Sequence, residues 1–123
     1  MPDVTERTFT VEEARELMPE VRARAGELVT TRADLAELSH SLRTGEESAL
    51  GGTPEAKALE ARIDEHIEWF NEQGIEVKGV APLLVDFPAE LDGVSVRLCW
   101  LEGEAELGWY HRSELGFLGR RQL

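Results

Sequence analysis

The sequence holds a single cysteine, Cys99. No disulfide can close within the chain, which is what a reducing compartment allows. Positive charge is scarce: 13 lysines and arginines stand against 25 acidic residues, for a formal net charge of -12. That field repels a phosphate backbone and an anionic membrane surface, so neither nucleic acid nor membrane is an expected partner. No apolar run reaches transmembrane length, and the opening Met1 to Glu6 lacks a basic region followed by an apolar one. A cytoplasmic protein is expected. Catalytic signatures are missing too: there is no phosphate-binding glycine loop, no His-Glu-x-x-His, no Cys-x-x-Cys and no nucleophile elbow. Nothing in the sequence fixes a reaction.

With 123 residues, 41% hydrophobic and 31% charged, the chain suits one soluble domain with a modest core. The stretch Val94 to His111 organises it. Apolar and polar residues alternate, a glycine turn follows, and alternation resumes, which is the pattern of a β-hairpin. A two-residue loop at Glu102-Gly103 or Gly103-Glu104 gathers Val94, Val96, Leu98, Trp100, Ala105, Leu107, Trp109 and His111 on one face. The opposite face carries Ser95, Arg97, Cys99, Leu101, Glu104, Glu106, Gly108 and Tyr110. Trp100 and Trp109 are then core aromatics.

Before the hairpin come helices. After a lead-in over Met1 to Phe9, Thr10-Val11-Glu12-Glu13 is a capping box. Apolar residues follow three and four apart, from Val11 through Val21 and Leu28 to Leu42. Pro19 inside this pattern predicts a kink or break, and Gly26 weakens the helix further. Thr44 to Gly52 reads as a mobile loop. Thr53, as N-cap, and Pro54 restart a helix with a stripe of Leu59, Ile63, Ile67 and Phe70, and Gly74 stops it. Ile75 to Lys78 alternates as a short strand. Leu83 to Phe87 is a stronger one, its flanking Pro82 and Pro88 suggesting an edge position or strand ends. If Leu83, Val85 and Phe87 face the core, Asp86 faces away. Asp92-Gly93 turns into the hairpin, and the tail from Leu115 reads as an ordered extension that packs through Phe117.

The expected fold is α+β: an N-terminal antiparallel helical hairpin, about 10–73, then a small antiparallel sheet, about 75–112, centred on one β-hairpin, then a C-terminal extension, 113–123, all in a single domain, 1–123.

The segments Leu84-Val85-Asp86-Phe87-Pro88, Leu98-Cys99-Trp100, Gly103-Glu104, Trp109-Tyr110-His111 and Gly116-Phe117-x-Gly119-Arg120 form a set, joined more loosely by Phe9-Thr10-x-Glu12-Glu13-Ala14 and Leu17-Met18-Pro19. Together they resemble a small prokaryotic family, the domain of unknown function 2203. The family tends to have a glycine where this chain has Leu83, a departure that touches the turn entering the strand. The resemblance implies a single-domain cytoplasmic protein and no particular activity.

Chemistry rests on scattered polar residues. His111 ends the expected apolar face and suits a metal ligand or general base, or a rim histidine bonded to a carbonyl or carboxylate. His66 lies on or beside the second helix's stripe. With His111 and a carboxylate from Glu104, Asp86 or Glu13 it would make a two-His, one-carboxylate site for a divalent transition metal such as zinc or iron. Asp86 needs a partner among its apolar neighbours, and Arg97 is the expected one; a carboxylate site with Glu104 and Glu106 is the alternative. Cys99 sits on the face opposite His111 in this register, which argues against a Cys–His dyad and for an inert thiol. His40 is expected to be solvated.

Two functions follow. The first is an interaction or structural module that self-associates through its helices as a homo-oligomer. The second is a metal-binding protein or metal-dependent enzyme built on the hairpin around His111, with Glu104, Asp86 and His66 as further candidate ligands.

Overall fold

A computed structural model describes residues 7–123. The opening Met1 to Glu6, read above as the start of a lead-in, lies outside the described residues. Two α-helices precede a five-stranded antiparallel sheet, so the α+β expectation holds. The chain divides into two units, Arg22–Glu68, which is helical, and residues 7–21 with 69–123, which hold the sheet.

Helix α1 spans Val11–Thr44 and starts at the capping box. The Glu13 amide donates to Thr10 Oγ1 at 3.0 Å, and the Thr10 amide donates to Glu13 Oε1 at 2.9 Å. The helix runs through Pro19 and Gly26 without the expected break. Proline removes one ladder bond and costs about 3 kcal/mol in a helix interior. Met18 and Val21, buried on either side of it, supply the packing that offsets this.

In the helical unit, α1 buries Ala25, Leu28, Thr31 and Leu38, while Leu42 is left exposed. Thr31 satisfies its hydroxyl by donating to the Glu27 carbonyl at 2.8 Å. Helix α2, Thr53–Glu72, is capped one residue earlier than expected. The Gly52 carbonyl accepts the first helical bond from Ala56, and the Glu55 carboxylate reaches back to the Gly52 amide at 2.7 Å. Its far end closes as the glycine predicts. Gly74, at φ 82°, donates to Asn71 O while Ile75 donates to Phe70 O, a Schellman motif whose two apolar residues, Phe70 and Ile75, are both buried.

The strands are β1 (Glu76–Val80), β2 (Leu83–Leu91), β3 (Val94–Leu101), β4 (Trp109–Arg112) and β5 (Arg121–Gln122), paired in chain order. Asp92 and Gly93, both at positive φ, form the tight turn between β2 and β3. Strand β2 is not an edge: it pairs with β1 on one side and β3 on the other, and it continues through Pro88. The Pro88 carbonyl accepts from the Phe9 amide at 2.7 Å. A strand residue points its carbonyl and its nitrogen to the same side, so the missing donor of Pro88 faces Phe9, past the start of β1, and takes nothing from the β3 ladder.

The expected register of the organising hairpin is corrected. Its strands are joined by residues 102–108 rather than by two residues, and Cys99 lies opposite Trp109 and Arg97 opposite His111. Trp109 and His111 therefore share a face with Cys99 and Arg97, not with Trp100. Val85, Phe87, Leu98, Val96 and Trp100 fill the buried apolar face, with Phe9 packed edge-on against Phe87 at 5.3 Å. The other face carries Asp86, Cys99, Arg97 and His111.

Candidate functional site

The polar face of the sheet has an interior. Asp86, central in β2, points away from Val85 and Phe87, as its place in the alternation predicts, and lies directly across from Cys99. His111 enters from β4. One nitrogen, sulfur or oxygen atom from each of these three buried residues lies within 4.8 Å of the other two, the sole cluster of three such side chains among the described residues. His111 Nε2 is 3.1 Å from Asp86 Oδ2, with side-chain exposures of only 3% and 4%.

Hydrogen bonding orients the imidazole. A backbone carbonyl only accepts, so His111 Nδ1 donates to Arg112 O at 2.8 Å, and Nε2 is the nitrogen aimed at Asp86. Nε2 and Oδ2 stand at hydrogen-bonding distance, 3.1 Å. The second carboxylate oxygen, Asp86 Oδ1, is buried with no hydrogen-bond partner. Burial, and then the neighbouring Asp86 carboxylate, push the Cys99 thiol up to about 12, so without a metal it stays protonated.

These three residues line a cavity of about 280 Å³ together with Lys78, Leu84, Arg97, Ser113, Gly116 and Phe117. Arg97 does not pair with Asp86, contrary to expectation. Its Nε and Nη2 hold Glu76 at 2.9 and 3.3 Å, and its Nη1 donates to Ser113 Oγ at 2.8 Å. Asp86 finds His111 instead. Burial alone would raise the Glu76 carboxyl, but Arg97 and Lys78 outweigh it and hold it below its ordinary 4.5. A carboxyl lowered on folding stabilises the fold above its unfolded value and loses that contribution as pH falls through its folded one. Glu76→Gln is therefore expected to flatten the decline of stability below about pH 4.5 and to cost roughly 1–2 kcal/mol at neutral pH, read by urea unfolding at a series of pH values.

The other expected ligands lie elsewhere. Glu104 is committed to structure: its Oε1 accepts from the Leu101 amide at 2.7 Å and from Arg120 at 2.6 Å. His66 lies in the helical unit, buried, with Nε2 3.5 Å from Glu27 Oε2. Glu13 caps α1, and Glu106 is exposed. Cys99 is the residue that sequence reasoning set aside, because the assumed two-residue loop put it on the wrong side of the sheet from His111.

Fold and cluster together define an α+β protein with a buried carboxylate, thiol and imidazole around one cavity. The chain belongs to the family described as uncharacterized conserved protein (DUF2203), whose model matches residues 7–123. No curated protein and no solved structure matches the chain. No helix among the described residues is long and apolar enough to cross a membrane.

Proposed function

We propose that this protein binds one divalent transition metal ion, of the zinc class, between Asp86, Cys99 and His111. The observation that carries the reading is the buried Asp86 Oδ1 without a partner, inside a set of three ligand atoms already within 4.8 Å of one another. A buried carboxylate oxygen left unpaired costs on the order of 1–3 kcal/mol, which a cation would offset. Ligand atoms around a tetrahedral zinc sit roughly 3–4 Å apart, given bonds of about 2.0–2.3 Å. The Nε2–Oδ2 distance of 3.1 Å meets that already, and the Cys99 sulfur lies within 4.8 Å of both partners. The bond from His111 Nδ1 to Arg112 O is the outer contact that fixes an imidazole ligand's tautomer.

Nitrogen, sulfur and oxygen donors suit zinc, cobalt or ferrous iron better than magnesium or calcium. Three protein ligands would leave a fourth position open to water, as in catalytic zinc sites. A metal-dependent hydrolytic or hydration activity is the chemistry such a position supports, in the cytoplasm, where a lone thiol stays reduced. Self-association through the helices rests only on the length and stripe of α1, so the metal reading is the stronger.

Cobalt(II) tests it. The full chain, freed of metal with a chelator, is expected to take up one equivalent of cobalt and to show a thiolate-to-cobalt charge-transfer band. Cys99→Ser should lose the band while keeping the circular dichroism of the fold. A chain that stays colourless, or a band unchanged by Cys99→Ser, would sink the assignment.

A further inference from the structure

Resting on that metal site, we infer that the cavity takes a small organic acid, its carboxylate held by Lys78 and a second oxygen donor reaching the metal's open position. The protein as a whole is strongly acidic, yet the walls of this cavity are not. Lys78 and Arg97 both line it, and Asp86, paired with His111, is the one acidic residue there. Glu76 lies against both cations, 3.3 Å from Lys78 Nζ and 2.9 Å from Arg97 Nε. One carboxylate, Glu76, facing two cations leaves one positive charge over; a divalent ion at the site would be balanced by the Asp86 carboxylate and the Cys99 thiolate and would leave that surplus in place.

The two cations are not equivalent. Arg97 is fixed: its guanidinium is directed at Glu76, Ser113 and the Val96 carbonyl. Lys78 is half exposed, and an ammonium has three donors, so it can hold Glu76 and still meet an incoming anion. Local backbone supports this role. The β1–β2 register shifts between Val77 and Gly79, leaving Lys78 as the extra residue of a bulge beside the cavity. Bulges re-aim side chains next to functional sites. Volume sets the size of the ligand: about 280 Å³ is at the small end for a ligand site and suits an acid of a few carbons. Leu84 and Phe117 give its hydrocarbon an apolar wall.

Succinate is the probe, because one carboxylate can rest on Lys78 while the other reaches the metal; acetate and inorganic phosphate are the comparisons. Added to the cobalt-loaded chain, succinate is expected to shift the visible cobalt spectrum and to bind more tightly than either comparison ion. Lys78→Met, which leaves the three metal ligands and the Arg97–Glu76 pair in place, should weaken succinate roughly tenfold or more with cobalt affinity unchanged. If cobalt binds but succinate leaves the spectrum unmoved, or Lys78→Met binds it equally, this inference is overturned while the metal site stands. Phosphate binding as tightly as succinate would overturn the choice of an organic acid. If cobalt itself does not bind, both readings fall.

Discussion

Asp86→Asn is expected to weaken zinc or cobalt binding by roughly 100-fold or more while leaving the metal-free protein as stable as before, or more so. Loss of a supporting contact alone costs about 10–100-fold in metal affinity, and here a ligand atom itself becomes a poorly donating amide. Stability should move the other way. Asp86 is a buried carboxylate with one oxygen unpaired and the other 3.1 Å from His111 Nε2. Asparagine has the same shape and no charge, and its amide can donate to Nε2 while Nδ1 keeps its bond to Arg112 O. The penalty for burying the charge disappears. Thermal unfolding in chelator, set beside cobalt titration, measures both effects. An Asp86→Asn chain that is less stable yet binds metal normally would make Asp86 a structural residue. His111→Ala is the less informative variant: it strands the Asp86 carboxylate in the interior, costs about 3–5 kcal/mol, and confounds lost binding with lost fold.

Asp86 and His111 were both legible as candidates, whereas their meeting with Cys99 was not, and the difference lies in one loop. Local signals read true: the Thr10–Glu13 box, the glycine stop at Gly74 and the Asp92-Gly93 turn each depend on a few neighbouring residues. So did the outward direction of Asp86, which needs only the period of a strand. The face on which His111 stands depends instead on how many residues separate β3 from β4. Alternation continues through Ala105 and Leu107, so the loop imitates a strand in sequence. Leu107 is indeed buried, but outside any strand, where its carbonyl accepts from Arg15 Nη2 at 3.2 Å. Glu104 pins the loop to Leu101 and Arg120 by contacts sixteen or fewer residues away. Changing the parity of one connection moves every following side chain to the other face, so the Cys99–His111 proximity could not be read without the loop. The missed Arg97–Asp86 pair has a different root: the two do share a face, but across the sheet Arg97 finds Glu76 of β1, which no local pattern connects to it.

Outside the site, Arg120→Ala is expected to cost about 2–4 kcal/mol, because one side chain fastens the C-terminal segment to the sheet. Its Nη2 lies 2.6 Å from Glu104 Oε1 and donates to the Cys99 carbonyl at 3.2 Å. The guanidinium also lies over the rings of Trp109, at 4.8 Å, and Phe117, at 4.9 Å. The arginine is only 11% exposed and its partner Glu104 22%, so removing it leaves a largely desolvated carboxylate without its cation. Lysine would restore the charge but not the planar group that stacks on two rings while reaching both oxygens, so Arg120→Lys should recover less than half of the loss. The consequence extends to the cavity. Gly116 and Phe117 form part of its wall, and β5 pairs with β4 next to His111. Hydrogen exchange in Arg120→Ala should therefore rise first over residues 116–122 and then along β4, and cobalt affinity should fall with it although no ligand has changed. Equal protection of the C-terminal segment in both chains would show that β5, not the arginine, holds that wall.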